Sequence, residues 1–148
     1  MDDALKLLRT ANYELRTGVT EQRHHPTNRE RLHALLDVLS YLYMTYGKPE
    51  RARDYLRLLV KLRPSESRLL RALALSELES GNPERAKEIL EESLELEMTR
   101  KERAATFLIL SRVLWRLQRS EDSGMAAYQF LQEKSLEAEV VRENDSLK

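Results

Sequence analysis

Apolar residues along the chain recur three and four positions apart, the spacing that gathers them on one face of an α-helix. Leu32, Leu35, Leu36, Leu39 and Tyr43 form one such stripe, and Leu69, Leu70, Leu73 and Leu78 form another. The spacing predicts helices over about 28–46, 49–62, 66–80, 83–97, 100–118 and 121–134. A further helix is expected over about 3–16, from the stripe Ala4, Leu8, Ala11 and Leu15, with Gly18 as its stop, and it is expected to dock on the rest. Between them lies a polar linker, 18–27 (GVTEQRHHPT). From about Lys134 the chain is charged and only weakly periodic through Leu136 and Val140, so the end is expected to fray or to fold on a partner.

The stripes repeat. GKPERARDYLRLLVKLRP from Gly47 aligns without gaps on GNPERAKEILEESLELEM from Gly81, thirty-four residues later. Gly, Pro, Glu, Arg, Ala, a basic residue, an acidic residue and Leu recur in order, from Gly47/Gly81 to Leu56/Leu90. Gly can take the left-handed conformation that ends a helix, and Pro two residues on begins the next, where its missing N–H costs nothing. The Glu after Pro complements the positive helix end, and the small Ala52 and Ala86 permit close helix crossings. Helix starts are marked by the capping-box pairs Thr27/Glu30 and Thr99/Glu102, and by Ser65 and Ser120 as expected N-caps. A third pair is degenerate. Leu110, Ser111 and Leu114 match Leu39, Ser40 and Tyr43 only with three extra residues, Gln118 stands where Gly would, and Ala127, Phe130 and Leu131 are expected in the core.

Composition narrows the class. Only 4 Gly and 4 Pro in 148 residues leave too few turn formers for an all-β chain, whereas Leu, Glu, Arg, Ala and Lys crowd it. The fold expected is all-α: three stacked helix hairpins, with an extra N-terminal helix. The expected organisation is an N-terminal helix and linker (1–27), the array (28–134) and a charged tail (135–148). With 41% hydrophobic residues on helical faces, wholesale disorder is excluded despite 34% charge. The 25 basic and 25 acidic residues cancel, so neither nucleic acid nor a membrane surface is an expected partner, and 6% aromatics supply no base-stacking platform. No export signal and no membrane-spanning run is visible, and zero cysteines fit a reducing compartment.

Chemistry is sparse. His24 and His25 are adjacent, so their side chains diverge, and no Cys or close carboxylates complete a metal shell. His33 is expected as a surface or boundary residue, and Ser111 at a small-residue crossing rather than at a nucleophile elbow. No phosphate-binding glycine loop occurs, and no cofactor, metal or catalytic residue is expected.

The order Leu36, Leu39, Ser40, Tyr43, Gly47, Ala52, Leu56, Leu59, Pro64, with Leu70, Leu73, Ala74, Gly81, Ala86 and Leu90 in the second copy, resembles the tetratricopeptide repeat. That resemblance implies a short right-handed solenoid of the three hairpins, a non-enzymatic protein-binding scaffold whose first helices line a groove. The groove positions would be Asp37, Tyr41 and Met44 in repeat one, Arg68, Arg71, Leu75 and Leu78 in repeat two, and Leu108, Arg112, Trp115 and Arg116 in repeat three. An apolar strip flanked by four arginines would suit an amphipathic or extended segment of acidic character. The apolar residues, at roughly 1.5 to 3 kcal/mol for each large side chain fully buried, would supply the affinity, and Trp115 the main anchor. The same spacing also serves a core, and four arginines also suit a solvated face; Leu75 and Leu78 are the weakest groove members. Asp37, Val38 and Tyr41 stand where a carboxylate clamp would need basic and amide groups.

The third pair, LSRVLWRLQRSEDSGMAAYQFLQEK from Leu110, is similar to the type III secretion chaperones of the YscY (SctY) group. That resemblance implies a cytoplasmic bacterial chaperone holding a YscX (SctX)-like partner, with contacts to the export gate. Needle-subunit or translocator chaperones, or a generic adaptor that could form a homodimer without its partner, are alternatives of the same fold.

Overall fold

Six helices follow one another in the computed structural model, which describes residues 25–146, and no strand occurs among those residues. They are α1 (Asn28–Thr45), α2 (Pro49–Leu62), α3 (Ser67–Glu79), α4 (Pro83–Leu94), α5 (Arg100–Arg116) and α6 (Ser120–Ser146). The expected helix over 3–16, its stop at Gly18, most of the linker and His24 lie outside the described residues. The chain divides into two compact units, 1–31 and 32–148.

In the first unit, Thr27 starts α1 through a reciprocal cap. The Glu30 N–H donates to Thr27 Oγ1 (3.2 Å), and the Thr27 N–H donates to Glu30 Oε2 (2.6 Å).

In the second unit the helices form the expected hairpins. Their turns are built alike: the N–H groups of Lys48, Asn82 and Arg119 donate to the carbonyls of Tyr43, Glu77 and Leu114 at 2.8, 2.8 and 3.0 Å. One residue earlier, Gly47, Gly81 and Gln118 donate to Met44, Leu78 and Trp115. All three donors are left-handed, with φ of 66°, 83° and 59°. Gln118 therefore does Gly's task, as the alignment predicts, at the cost of a Cβ in a conformation that disfavours it. Pro49 and Pro83 open their helices.

Packing follows the repeat. Ala52 and Ala86 have no exposed surface, so helices cross closely there. In the same register of repeat three, Ser123 is buried and its hydroxyl donates to the Ser111 carbonyl (2.9 Å). Each helix from α2 onward packs on the next, and α3 also packs on α5. Tyr43 of α1 stacks on Tyr55 of α2, with ring centroids 5.6 Å apart. One continuous core runs from Leu36 through Leu56, Leu59, Leu69, Leu73, Leu90, Val113 and Leu114 to Ala126.

Several expectations are corrected. Neither Ser65 nor Ser120 is an N-cap: α3 begins at Ser67 after Glu66 with no side-chain cap, and Ser120 already lies within α6. Leu131 is exposed rather than in the core, Ala127 and Phe130 are half-buried, and Ser123 and Ala126 hold the buried positions. The last helix continues to Ser146 rather than ending near 134. His33 is buried, its Nδ1 accepting from Arg63 Nε at 3.1 Å.

Candidate functional site

The first helices of the hairpins, α1, α3 and α5, are joined by ion pairs between neighbouring repeats. Asp37 of α1 receives a two-pronged contact from Arg68 of α3, at 2.9 and 3.1 Å, and this hydrogen bonding raises the Arg68 pKa above its ordinary value. Glu79 of α3 pairs with Arg112 of α5. Arg71 of α3 donates to Ser67 Oγ (3.1 Å) and lies 3.8 Å from Glu102 of α5. Partial burial lowers the Arg71 pKa, and the Glu102 carboxylate opposes that shift.

Glu102 belongs to a second reciprocal cap. Thr99 accepts from the Glu102 N–H, and the Thr99 N–H donates to Glu102 Oε2 (2.9 Å), as the capping-box spacing predicts. The other oxygen accepts from the Ser67 hydroxyl across the repeat boundary (2.9 Å). The Thr99 N–H first, then the Ser67 and Thr99 hydroxyls, hold the Glu102 carboxyl below the usual glutamate range.

The eleven positions predicted for the groove do not share one environment. Tyr41, 70% exposed, Leu108 and Trp115, 69% exposed, are open apolar surface. Asp37, Arg68, Arg71 and Arg112 are drawn together across repeat boundaries as just described, and Arg116 is exposed with no acidic partner among the described residues. Met44 packs partly against the core and Leu75 is half-buried. Leu78 is a correction: at 2% exposure it belongs to the core and lines no groove. A stripe read from periodicity cannot tell which of its edge residues a following repeat will cover.

One polar centre is absent from the sequence-based expectations. Glu77 of α3 is 1% exposed, yet it accepts from Arg57 Nη2 of α2 (2.6 Å) and from Asn82 Nδ2 at the turn (3.0 Å), with Arg53 at 3.7 Å. The carboxylate thus joins α2, α3 and the turn into α4, and these donors are what makes its burial tolerable. A signal was present. Glu77 occupies the register of Tyr43 and Leu114, so an acid stands where its two counterparts are aromatic and aliphatic.

The exposed face is suited to binding. Among the described residues no group of three metal-ligating side chains comes together, and no helix is long and apolar enough to cross a membrane. Helix hairpins stacked in register, with apolar side chains displayed on the first helices, define a helical-repeat scaffold of the kind used for protein–protein contact. The tetratricopeptide repeat model matches residues 38–95 and 71–135, together about two-thirds of the chain, and the chain belongs to that family. No curated protein matches it.

Proposed function

We propose that the chain holds another polypeptide on the face formed by α1, α3 and α5, and keeps that partner soluble until delivery. The observation that carries this is the exposure of Tyr41, Leu108 and Trp115 at groove positions whose neighbouring charges are neutralised in pairs between repeats. Three large apolar groups facing solvent are unfavourable in isolation and become a source of affinity when covered. Most of the flanking arginines then set orientation rather than strength.

The partner proposed is a small secretion-apparatus protein of the YscX (SctX) kind, with the chain acting as a type III secretion chaperone of the YscY (SctY) group in the bacterial cytoplasm, before transfer to the export gate. The support is the likeness of the segment from Leu110 to Lys134 to that group. Residues 28–134 form the proposed binding array, flanked by 1–27 and 135–148. Without its partner the chain is proposed to pair with itself.

Co-expression with such a partner is expected to give a 1:1 complex by size-exclusion chromatography with light scattering. The double substitution Tyr41→Ala, Trp115→Ala should weaken capture at least tenfold while far-ultraviolet circular dichroism stays unchanged. Undiminished capture by that variant would overturn the proposed face. A well-behaved lone protein that captures no secretion partner would leave a general adaptor in its place.

A further inference from the structure

Repeat two shows how this array is continued. At the end of α3, Leu78 is buried in the core and Glu79, next to it, pairs with Arg112 of the following repeat. An apolar residue in the core and, beside it, a charged one paired across the junction thus close the end of this helix.

The same two positions recur at the end of α5. Gly81 and Gln118 occupy equivalent turns, thirty-seven residues apart, so Leu78 corresponds to Trp115 and Glu79 to Arg116. The counterparts keep their character, one apolar and one charged, but no repeat follows them among the described residues. Trp115 is 69% exposed where Leu78 is 2%. Arg116 has no acidic partner among the described residues, whereas Arg68, Arg71 and Arg112 each face a carboxylate of a neighbouring repeat. Leu131 of α6, in the register of half-buried Leu94, is likewise exposed.

We infer that a partner helix takes the place of a fourth repeat on this end of the array, laying an apolar residue on Trp115 and offering a carboxylate to Arg116. The inference rests on the proposed role in holding a polypeptide, and deepens it by naming the chemistry of the segment held. Charge complementarity selects the occupant. The other arginines of the predicted groove, Arg68, Arg71 and Arg112, are already matched, so on this face of α5 a segment with glutamate or aspartate beside its apolar face gains its new pair at Arg116, and a basic segment is repelled there. Positions 108, 112, 115 and 116 share one face of α5, so one helix can meet them together.

Trp115 is the sole tryptophan of the chain, so its emission reports on this site alone. Two synthetic sixteen-residue helical peptides with the same leucine face are titrated into the full chain, one flanked by glutamates and one by glutamines. The glutamate peptide is expected to shift Trp115 emission to the blue and to bind about threefold more tightly at low salt, the size expected of an exposed ion pair. Arg116→Gln should bring that ratio to about one, while Lys101→Gln at the far end of α5 leaves it intact. A ratio surviving in Arg116→Gln, or equal binding of both peptides to the native chain, overturns the inference and leaves the proposed function standing. No shift from either peptide, while the co-expressed complex still forms, overturns the placement on Trp115. No shift and no complex removes both.

Discussion

Repeat two and repeat three share a register and differ in what lies beyond them. In repeat two both residues at the end of the first helix are occupied: Leu78 is buried in the core and Glu79 is paired with the following repeat. In repeat three the matching Trp115 and Arg116 face solvent. The first repeat shows the converse at its own outer edge. Leu35 and Leu42 of α1 are exposed, whereas Leu69 and Ser76, their counterparts in α3, are fully buried. Among the described residues, burial therefore differs between positions of the same register, as expected where neighbouring units cover one another in a quasi-one-dimensional stack.

The largest effect that sharpens the contrast is Leu78→Ala, expected to cost about 3 kcal/mol in chemical denaturation through the cavity it leaves. Trp115→Ala, at the same register, should cost under about 0.5 kcal/mol in the same measurement. Equal losses would show that the two ends are covered alike. Next, Glu77→Ala should cost about 2 to 3 kcal/mol, because Arg53 and Arg57 lose their shared acceptor; the half-exposed Arg57 can return to water, which keeps the loss at the lower end for a buried pair. Replacing the register-equivalent Leu114 should instead act only through packing, with no dependence on Arg57.

The turns give a smaller and opposite pair. Gln118→Gly is expected to stabilise the chain by about 1 kcal/mol, by relieving a left-handed non-glycine residue, and Gly81→Gln to destabilise it by a similar amount. Nothing lies within 4 Å of where a Cβ on Gly81 would stand, so the change reads backbone conformation and not crowding. The smallest effect is electrostatic. The carboxyl of Glu102 titrates below its ordinary value in the folded chain, so its contribution is complete above that ordinary value and is lost as pH falls through the depressed one. For so exposed a group this is under about 0.5 kcal/mol. Thermal melts across the acid range should show a low-pH decrement in the native chain that Glu102→Gln removes.

Most of the hairpin architecture was legible in the residues. Gly47 with Pro49 and Gly81 with Pro83 carry the stop-and-start chemistry of two turns, and the alignment placed Gln118 at the third although nothing in glutamine itself favours a positive φ. Both capping boxes stood at their three-residue spacing. The depth of individual side chains was harder to read. Leu78 sits at the edge of a helical stripe, where the adjacent repeat decides between core and surface. Glu77 was hidden because acids in a charge-rich helix ordinarily face water, and only a comparison across repeats reveals that it stands on the apolar side. The far end of α6 has no glycine or proline from Met125 onward, so no residue marks a stop. Its periodicity is faint, and between Lys134 and Asn144 its side chains are almost all exposed.

That last helix has a mechanical consequence. Glu133 lies 3.5 and 3.9 Å from Arg100 and Arg103, at the start of α5, so the hairpin's two arms are matched only up to that point. The remaining turns to Ser146 extend beyond the start of α5 as a beam of roughly 20 Å, at 1.5 Å of rise per residue. Extending a helix that is already nucleated costs almost nothing, and so does unwinding it. Amide hydrogens along this beam should exchange far sooner than those between Ser120 and Glu133, and anything that grips Leu136 or Val140 would arrest them.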